Sequence, residues 1–405
     1  MSTTVENPTP TAGNGDHGAA RGYRDAVPTW QDPSALDKSG RKLPFTPSAG
    51  TEPVFMKGNE AIVHGALLAG ARCFFGYPIT PASEIAHTAA ELFPATGGVF
   101  LQAESEVAAI NMVYGAASTG IRTMTASSSP GMSLKQEGIS YSAGSELPMV
   151  IVDIMRGGPG LGNIAPEQGD YFQMVKGGGH GCYSLPVLAP NSCQEMCDYT
   201  RLAFEIADRY RTPVVILADG LVGQMKEPVY LDEATKETPD QTSWSVQGTE
   251  ETRKNLVCSI FLKNDELEDH ITHLANKTKM IAEREVRWEE YKLEDADIVL
   301  VGYGIISRIL KGVVDRGRKQ GLKLGLLRPI TLSPFPSEAI RAAVQGKKAC
   351  MAVELSTGQM VEDVRLAASD LAPIWFYGRA GGNVPSVDEI LDEIHAKNGT
   401  TAEAK

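Results

Sequence analysis

Short apolar runs alternate with amphipathic stretches along most of this chain, and that alternation constrains the fold more than any other feature. Residues 149–155 (MVIVDIM) and 212–218 (TPVVILA) have the length and composition of strands buried on both faces. Between them, Ser192 and Glu195 form the S-x-x-E pattern that begins a helix. Buried strands separated by helices predict an α/β fold, in which a doubly wound parallel sheet is covered by helices on both faces.

The same pattern divides the chain into five parts. Polar residues without periodicity predict a flexible N-terminal extension, and a charged stretch interrupts the alternation in the middle of the chain. Within that stretch, residues 265–291 are predicted to form one long solvated helix. The predicted parts are an extension (1–52), a first α/β domain (53–232), a connecting segment (233–294), a smaller α/β domain (295–397) and a short tail (398–405).

The charge and the cysteine content argue against several classes of function. The chain has 38 basic and 50 acidic residues and a net charge of −12, which argues against nucleic acid or anionic membrane as a partner. No apolar run approaches the roughly 18 residues of a membrane span, and the N-terminus lacks a signal-peptide pattern, so a cytoplasmic location is expected. The six cysteines include no CxxC pair, so the usual ligand pattern of a zinc site or an iron–sulfur cluster is missing.

Four predicted strands of the first domain end in polar or glycine-rich segments. These segments are 76–81 (GYPITP), 104–106 (ESE), 127–131 (SSSPG) and 156–162 (RGGPGLG). Each has a purely structural interpretation, such as helix capping by Thr80 or a favourable helix-dipole contact by Glu106. In a parallel sheet, however, the carboxyl ends of the strands lie at one edge, which is where such sheets bind ligands. Their coincidence therefore predicts a ligand site at this edge.

Longer motifs carry a family resemblance. The first domain contains GYPITPASE (76–84), E-x-E (104–106), SSSPGMSL (127–134) and MRGGPGLGN (155–163), and the second contains RPITLSPFP (328–336) and AVELSTGQM (352–360). Together they resemble the alpha subunit of 2-oxoacid:ferredoxin oxidoreductases, over about residues 55–400 and in the family's order. The resemblance implies a pyrimidine-binding domain of the thiamine-diphosphate enzymes followed by a smaller transketolase-C-terminal-like domain.

The resemblance also implies three catalytic residues. Glu106 resembles the glutamate that hydrogen-bonds N1′ of the thiamine aminopyrimidine, where a carboxylate stabilises a proton on the ring. Thr80 resembles the threonine that contacts the reacting carbonyl, and Arg156 resembles the arginine that pairs with the substrate carboxylate. No metal ligand is expected in this chain. The residues implied to bind the cofactor are Glu106, Tyr77, Pro78, Ile79 and Ser128.

The chain departs from the family pattern at three positions. Ala82 follows the ITP motif where the family often has Ser, Ser105 stands in the middle of the E-x-E, and Ser129 replaces a glycine of the SSGPG form. Of these, Ser129 is expected to matter most, because it changes how closely this turn can approach the cofactor.

One half of a thiamine-diphosphate site is missing. These enzymes hold the diphosphate through Mg²⁺ with a GDG motif and a later Asn, but the nearest string here is Ala218-Asp219-Gly220, with no Asn at the right distance. The resemblance therefore implies a beta subunit that supplies the diphosphate site, the Mg²⁺ and a [4Fe–4S] cluster, with thiamine diphosphate shared between the chains. It also implies a dimer of alpha–beta pairs, with CoA and with ferredoxin or another low-potential acceptor as further partners.

The identity of the 2-oxoacid stays open at this point. The family's reaction is the oxidative decarboxylation of a 2-oxoacid with CoA to acyl-CoA, CO₂ and reduced ferredoxin, and residues 160–181 are similar to those of the branched-chain type. A 2-oxoglutarate pocket would need a second cation for the distal carboxylate, for which Lys176 and His180 are candidates. Both 2-oxoglutarate and branched-chain 2-oxoacids are therefore expected substrates.

Two other functions compete with this one. Residues 301–307 (VGYGIIS) mimic the glycine-rich turn of a Rossmann-type NAD(P) dehydrogenase, although the third glycine and the later acidic residue are missing. A non-catalytic scaffold subunit would keep the same fold but would not need Glu106. NAD binding by the chain would indicate the first alternative, and full activity of a Glu106→Gln variant would indicate the second.

Overall fold

The computed structural model describes residues 52–231 and 238–403. Three sheets and twelve helices lie in these ranges. The predicted N-terminal extension falls outside them except for Glu52, and so do the last two residues of the predicted tail. The alternation of strands and helices is confirmed as an α/β fold built on two largely parallel sheets.

The elements follow one another in a regular order. The strands are β1 (Val54–Lys57), β2 (Cys73–Gly76), β3 (Val99–Gln102), β4 (Thr123–Ser127), β5 (Met149–Met155), β6 (Val187–Leu188), β7 (Pro213–Asp219), β8 (Lys226–Val229), β9 (Trp288–Tyr291), β10 (Ile298–Val301), β11 (Leu324–Pro329), β12 (Thr331–Ser333), β13 (Ala349–Glu354) and β14 (Ile374–Gly378). The helices are α1 (Gly58–Leu68), α2 (Ser83–Ala95), α3 (Glu106–Ser118), α4 (Ser129–Gly144), α5 (Tyr171–Val175), α6 (Cys193–Tyr210), α7 (Gly220–Gln224), α8 (Asn264–Arg284), α9 (Gly304–Lys319), α10 (Ser337–Val344), α11 (Met360–Ala368) and α12 (Val387–Glu403). None of the helices in the described ranges combines the length and the apolar character that a bilayer crossing needs.

The first sheet has seven strands in the order β12-β6-β7-β5-β4-β2-β3, and all are parallel except β12. Its central strands β5 and β7 are buried along their whole length, as their continuous apolar sequences require when helices cover both faces. Helix α6 packs on α1 so closely that a Cβ added at Gly65 would lie 2.3 Å from the carbonyl oxygen of Cys197. Glycine at this position therefore permits the contact between the two covering helices.

The second sheet has five strands in the order β14-β13-β10-β11-β9, and all are parallel except β9. The chain crosses from the second sheet to the first after β11, because β12 follows β11 in sequence but pairs with β6 of the first sheet. Arg328 of β11 is almost completely buried and donates to Glu195 of α6 at 2.9 Å and to Glu289 of β9 at 3.2 Å. The crossing of the chain between the sheets and the ion pairs of the buried Arg328 therefore join the two sheets.

The predicted long helix over residues 265–291 is wrong in its last part. Helix α8 ends at Arg284, and residues 288–291 form the edge strand β9 against β11. The buried carboxylate of Glu285 stands at this break and accepts hydrogen bonds from Arg209 and Arg287, both at 2.8 Å. The charged sequence WEEY resembles a solvated helix in isolation, but the neighbouring sheet provides the backbone partners that convert it to a strand.

Candidate functional site

The first sheet changes direction between β2 and β4. From β2 the chain moves to β3 on one side, and β4 then lies on the other side of β2. Ligands of such sheets bind at the carboxyl ends of the strands at this switch point. The structure places the ends of β2, β4 and β5 side by side there, so the polar segments that follow these strands meet at one edge.

The loop after β2 carries four of the predicted site residues. Tyr77, Pro78 and Thr80 are exposed, and Ile79 is partly buried. The Thr80 hydroxyl lies 3.4 Å from the hydroxyl oxygen of Ser83. These side chains are therefore accessible to a ligand at the strand ends.

A partly buried polar network holds this loop in place. Asn59 and Gln224 both donate to the carbonyl of Pro81, at 2.7 and 2.9 Å. The Glu84 carboxylate accepts from the same two side chains (2.9 and 2.8 Å) and from Lys57 (2.6 Å). Burial alone would raise the pKa of Glu84, but these hydrogen bonds outweigh it and lower the pKa to about 2. The network therefore keeps a charged carboxylate under the exposed loop.

The structure brings Arg156 and Thr80 into contact. Arg156 Nη1 donates to the Thr80 carbonyl at 2.8 Å, and Nη2 donates to the Leu161 carbonyl at 3.4 Å. Arg156 Nε is buried and has no hydrogen-bond partner among the residues that the structure describes. The guanidinium group therefore lies at the strand ends, beside a residue that was predicted to act with it.

Two carboxyl groups, of the buried Asp153 and the partly buried Asp170, are in contact behind Arg156. Ser129 donates its backbone N–H to Asp153 at 3.2 Å and its hydroxyl to Asp170, and its Oγ accepts from the Arg156 N–H at 3.1 Å. Burial and the neighbouring Asp170 charge raise the pKa of Asp153 well above its usual value, and burial also raises the pKa of Asp170. The pair therefore retains a proton at a pH where ordinary aspartates lose it. Ser129, the departure from the family pattern, links this pair to Arg156.

Glu106 begins helix α3, and only 6% of its surface is exposed. Ser105 caps this helix, since its hydroxyl oxygen accepts from the Ala108 N–H at 3.2 Å. Within the described ranges the Glu106 carboxylate has no hydrogen-bond partner. An acidic side chain is favoured at a helix start by the helix dipole, and here it lies at the sheet edge without a described donor.

The room beside Glu106 depends on Gly131. A Cβ at this glycine would lie 2.7 Å from Glu106 Oε1 and 2.1 Å from Ser127 Oγ, so a larger residue does not fit. The hydroxyl oxygens of Ser127 and Ser128 are buried and lack hydrogen-bond partners among the described residues. Two buried hydroxyl groups with unmet hydrogen bonds, which are unusual in folded proteins, therefore lie at this edge of the sheet beside the Glu106 carboxylate.

Side chains of the first α/β unit occupy the glycine-rich turn of the second sheet. Asp219 Oδ2 accepts from the Ile305 N–H at 2.8 Å, and a Cβ at Gly304 would lie 2.4 Å from the same oxygen. Gln168 donates to the Tyr303 carbonyl at 3.1 Å. The helix start that would bind a dinucleotide phosphate faces a carboxylate of the same chain, which counts against the Rossmann dehydrogenase.

The two candidates for a second substrate cation have other partners. Lys176 pairs with Asp363, which also accepts from the Tyr171 hydroxyl at 2.6 Å. The His180 ring packs edge-on against Tyr141, with the ring centroids 5.7 Å apart. The charge of Lys176 is therefore balanced within this chain rather than directed to a ligand.

Several residues of this edge were not identified from the sequence. Asp153 has a recognisable signal, because it is the one acidic residue in the apolar strand MVIVDIM. Asn59 has none, because it meets the loop after β2 only through folding. Glu167 also lacks a signal, although its carboxylate accepts from the backbone N–H groups of Gly158 and Gly381, both at 2.7 Å. It therefore anchors the glycine-rich loop to the second α/β unit.

Two family models match the chain in sequence. Residues 61–292 match the thiamine-diphosphate-binding domain of pyruvate flavodoxin/ferredoxin oxidoreductase. Residues 296–390 match core domain II of pyruvate:ferredoxin oxidoreductase. The two matches together cover both α/β units.

Individual relatives lead to the same family. The chain is 60% identical to the ketoisovalerate oxidoreductase subunit VorB of Methanothermobacter marburgensis over 339 residues, which cover 84% of this chain and 96% of that subunit. It is 35% identical to the 2-oxoglutarate synthase subunit KorA of the same organism, with 85% and 99% covered. A solved structure of 2-oxoglutarate:ferredoxin oxidoreductase from Magnetococcus marinus matches with a TM-score of 0.78 at 25% identity, covering 88% of this chain and 68% of that one. The chain therefore belongs to the pyruvate flavodoxin/ferredoxin oxidoreductase family and is a homologue of 2-oxoacid oxidoreductase subunits.

Proposed function

We propose that this chain is the alpha subunit of a thiamine-diphosphate-dependent 2-oxoacid:ferredoxin oxidoreductase. The observation that carries the proposal is the Glu106 carboxylate, which is nearly buried at a helix start and has no hydrogen-bond partner in the described part of the chain. Two buried serine hydroxyls beside it also lack described partners, so this edge is explained best by a ligand that satisfies these groups. A ring nitrogen that can share a proton is a ligand of that kind.

The residues around Glu106 fit the aminopyrimidine ring of thiamine diphosphate. Ser127 and Ser128 have unmet hydroxyl groups, and Gly131 leaves room beside the carboxylate. When bound, the cofactor supplies the carbon nucleophile and the electron sink that decarboxylation of a 2-oxoacid requires. Glu106 would hold a proton at N1′ of the ring. The other residues proposed to contact the cofactor are Tyr77, Pro78, Ile79 and Ser128.

Arg156 and Thr80 are proposed to bind the substrate. Nη1 and Nη2 of the guanidinium group each donate one N–H to a backbone carbonyl, so each retains a second N–H for a substrate carboxylate. The exposed Thr80 hydroxyl, on the residue whose carbonyl Arg156 binds, would donate to the oxygen of the reacting carbonyl as negative charge develops there. Ser129 and the Asp153–Asp170 pair support the backbone of Arg156 from behind.

A branched-chain 2-oxoacid is the substrate that this arrangement favours. Recognition of 2-oxoglutarate needs a second cation, but Lys176 is paired with Asp363. Leu161 and Ile164 lie on the glycine-rich loop and are 87% and 63% exposed, so they present apolar surface beside Arg156. The products with CoA would be a branched acyl-CoA, CO₂ and reduced ferredoxin or another reduced low-potential acceptor. The similarity to a ketoisovalerate oxidoreductase subunit supports this choice.

A beta subunit is proposed to complete the site. Val107 on α3, the helix that Glu106 begins, and Leu134 on the neighbouring α4 are exposed apolar side chains, and a second chain would bury them. Within residues 52–231 and 238–403, no group of three or more His, Cys, Asp or Glu side chains is arranged to hold a metal ion. The diphosphate site, Mg²⁺ and the [4Fe–4S] cluster are assigned to the beta subunit, in a dimer of alpha–beta pairs, on the family resemblance of the sequence motifs.

A cytoplasmic location is proposed for the complex. All six cysteines are free thiols, and four of them are buried. Free buried cysteines are typical of reducing compartments, where disulfides rarely form. The low-potential chemistry proposed here also needs a reducing environment.

The decisive experiment compares two neighbouring glutamates in the chain assembled with its beta subunit. Glu106→Gln removes the group that would hold the ring proton, and Glu104→Gln, at an exposed position two residues earlier, is the matched control. We expect Glu106→Gln to lower kcat by at least about 100-fold and Glu104→Gln to leave it within about twofold. Full activity of Glu106→Gln in a normally assembled complex would instead support the scaffold subunit.

A second experiment tests the substrate. Turnover of 2-oxoisovalerate and of 2-oxoglutarate is measured with CoA and a low-potential acceptor. We expect kcat/KM to favour 2-oxoisovalerate by at least about thirtyfold, because the distal carboxylate of 2-oxoglutarate would lose water without gaining a cation. Equal turnover, or a preference for 2-oxoglutarate, would overturn the branched-chain assignment while leaving the role of Glu106 intact.

A further inference from the structure

A buried lysine lies behind the proposed cofactor site. Lys135 of α4 has no exposed surface, and its Nζ donates to the Thr125 hydroxyl at 3.1 Å. Among the residues that the structure describes, this neutral hydroxyl is its hydrogen-bond partner. An ammonium group carries three N–H donors, and its burial is costly unless a negative charge lies nearby. Lys135 therefore requires an explanation that packing alone does not supply.

The geometry places Glu106 next to Lys135. Thr125 and Ser127 are two residues apart in β4, so their side chains lie on the same face of the sheet. Lys135 donates to Thr125, and Gly131 lies against Ser127 and against Glu106 Oε1. Because Lys135 follows Gly131 by four residues in α4, the two lie on one face of that helix. The ammonium and carboxylate groups therefore occupy the same layer between β4, α3 and α4.

The charges agree with this placement. Burial lowers the pKa of Lys135 to about 8, and the negative charge of Glu106 acts in the opposite direction. The groups that face Lys135 among the described residues are the Thr125 hydroxyl from β4 and the Glu106 carboxylate from α3. Lys135 is therefore largely protonated at neutral pH, and Glu106 is the acidic residue whose charge acts on it.

We propose that Lys135 is a positioning residue of the reaction, whose buried charge holds Glu106 as a carboxylate ready to share a proton with the cofactor. The proposal rests on the proposed function, because it gives Lys135 a role only through Glu106. A nearby cation stabilises the ionised form of a carboxyl group, so a proton shared between Glu106 and the ring would lie closer to the ring nitrogen.

The first test needs neither cofactor nor activity. Urea unfolding of the full-length chain is measured at pH 7 for the wild type, Lys135→Met, Glu106→Gln and the double variant. If the two charges interact, the shift of the urea midpoint in the double variant will differ from the sum of the two single shifts. Once one charge has been removed, removing the other no longer breaks their interaction. Additive shifts would overturn the proposal. Lys135→Gln, which keeps a polar group of similar length, replaces Lys135→Met if that variant fails to fold.

The same cycle at about pH 9.5 provides an internal control. Lys135 loses its charge as the pH rises through about 8, so the interaction should shrink strongly between the two pH values. An interaction that is equally large at both values would mean that packing, and not charge, couples the two positions. That result would also overturn the proposal.

The second test measures turnover in the assembled complex loaded with thiamine diphosphate. We expect Lys135→Met to lower kcat by about tenfold or more while KM for the 2-oxoacid stays within about twofold, because the change acts on Glu106 and not on Arg156. Thr125→Val, which removes the hydroxyl but keeps the charge, should cost much less. Equal losses for these two variants would indicate a purely structural role. If Glu106→Gln retains activity, the proposed function fails, whereas the charge cycle still reports whether the two groups interact.

Discussion

Each parallel sheet has a buried glutamate near a helix start, and the two differ in the hydrogen bonds that they receive. Glu354, at the end of β13, accepts from the backbone N–H groups of Gln359 (3.1 Å), Met360 (2.8 Å) and Val361 (2.9 Å) and from the Ser356 hydroxyl (3.0 Å). Glu106, at the start of α3, accepts none within the described residues. A carboxylate with four donors stabilises its own helix start, whereas one without donors is available to a ligand. Burial alone therefore does not distinguish a structural glutamate from a functional one.

The two switch points differ in the same way. In the second sheet, the change of direction lies between β10 and β13, and side chains from the first unit fill it. Asp219 occupies the start of α9, and Gln168 pairs with the backbone of Tyr303 and Leu355. In the first sheet, the corresponding edge keeps the carboxylate of Glu106 and the serine hydroxyls without described partners. One topology therefore occurs twice, and only one copy leaves polar groups for a ligand.

The largest expected effect is on stability, which should depend on Glu354 more than on Glu106. We predict that Glu354→Ala lowers the free energy of unfolding by about 3 kcal/mol, because it leaves buried N–H groups unpaired. Glu106→Ala should lower it by less than Glu354→Ala does, because no described hydrogen-bond donor is lost and the cost is confined to the charge balance with Lys135. Urea unfolding measures both, with the exposed Glu362→Ala in the same helix start as control. A larger loss for Glu106→Ala than for Glu354→Ala would refute the comparison.

The second prediction concerns the filled switch point. Asp219→Ala removes the acceptor of the Ile305 N–H (2.8 Å) and of the Val222 N–H (3.0 Å), and thereby the caps of two helices. We expect the free energy of unfolding to fall by about 2 kcal/mol, since a lost cap costs about 0.5–2 kcal/mol. Thermal or urea unfolding of the full chain measures the change. A neutral effect would show that Asp219 does not hold the two units together as described.

The third prediction uses the pH dependence of the Asp153–Asp170 pair. The folded state keeps a proton there at a pH where unfolded aspartates have lost it, because the pKa of both groups is raised. The folded state then binds more protons than the unfolded state above about pH 4, so stability falls as the pH rises. Asp153→Asn should remove this decrease in stability. In the wild type the decrease amounts to about 1.4 kcal/mol for each pH unit in which the pair stays protonated. Urea midpoints between about pH 4 and 7 test this.

The exposed Asp392→Asn is the control for that measurement, because it changes the same functional group outside the pair. Its stability curve should follow the wild type at every pH. Parallel curves for the wild type and Asp153→Asn would mean that the pair is ionised in the folded protein.

The smallest expected effect comes from Ser129, which links Arg156 to the Asp153–Asp170 pair. Ser129→Ala removes the oxygen that accepts from the Arg156 N–H at 3.1 Å and the hydroxyl that donates to Asp170. We expect KM for the 2-oxoacid to rise about fivefold with kcat little changed, because one hydrogen bond is worth about 1 kcal/mol. Steady-state kinetics of the assembled complex measure this. A fall in kcat without a change in KM would place Ser129 nearer the cofactor than the substrate.

The residues that could be predicted from the sequence are those with a local pattern. The loop at 76–81 and the run beginning at Arg156 were recognisable because each follows an apolar strand, and the structure joins them through the bond from Arg156 to Thr80. The end of α8 could not be predicted, because the edge strand β9 forms only against β11. Lys135 was equally hidden, because a lysine in a helix is usually solvated and nothing local shows that β4 covers it.

The amino-acid sequence by itself determined the α/β class, the order of the elements and the set of polar strand ends, because these depend on hydrophobic periodicity within short segments. Only the tertiary structure decided which sheet receives β12, which switch point is filled by Asp219 and which buried glutamate lacks described donors. These outcomes depend on contacts between residues far apart in the chain. Hydrogen-bond satisfaction is a property of the folded environment, so no local pattern could have assigned it.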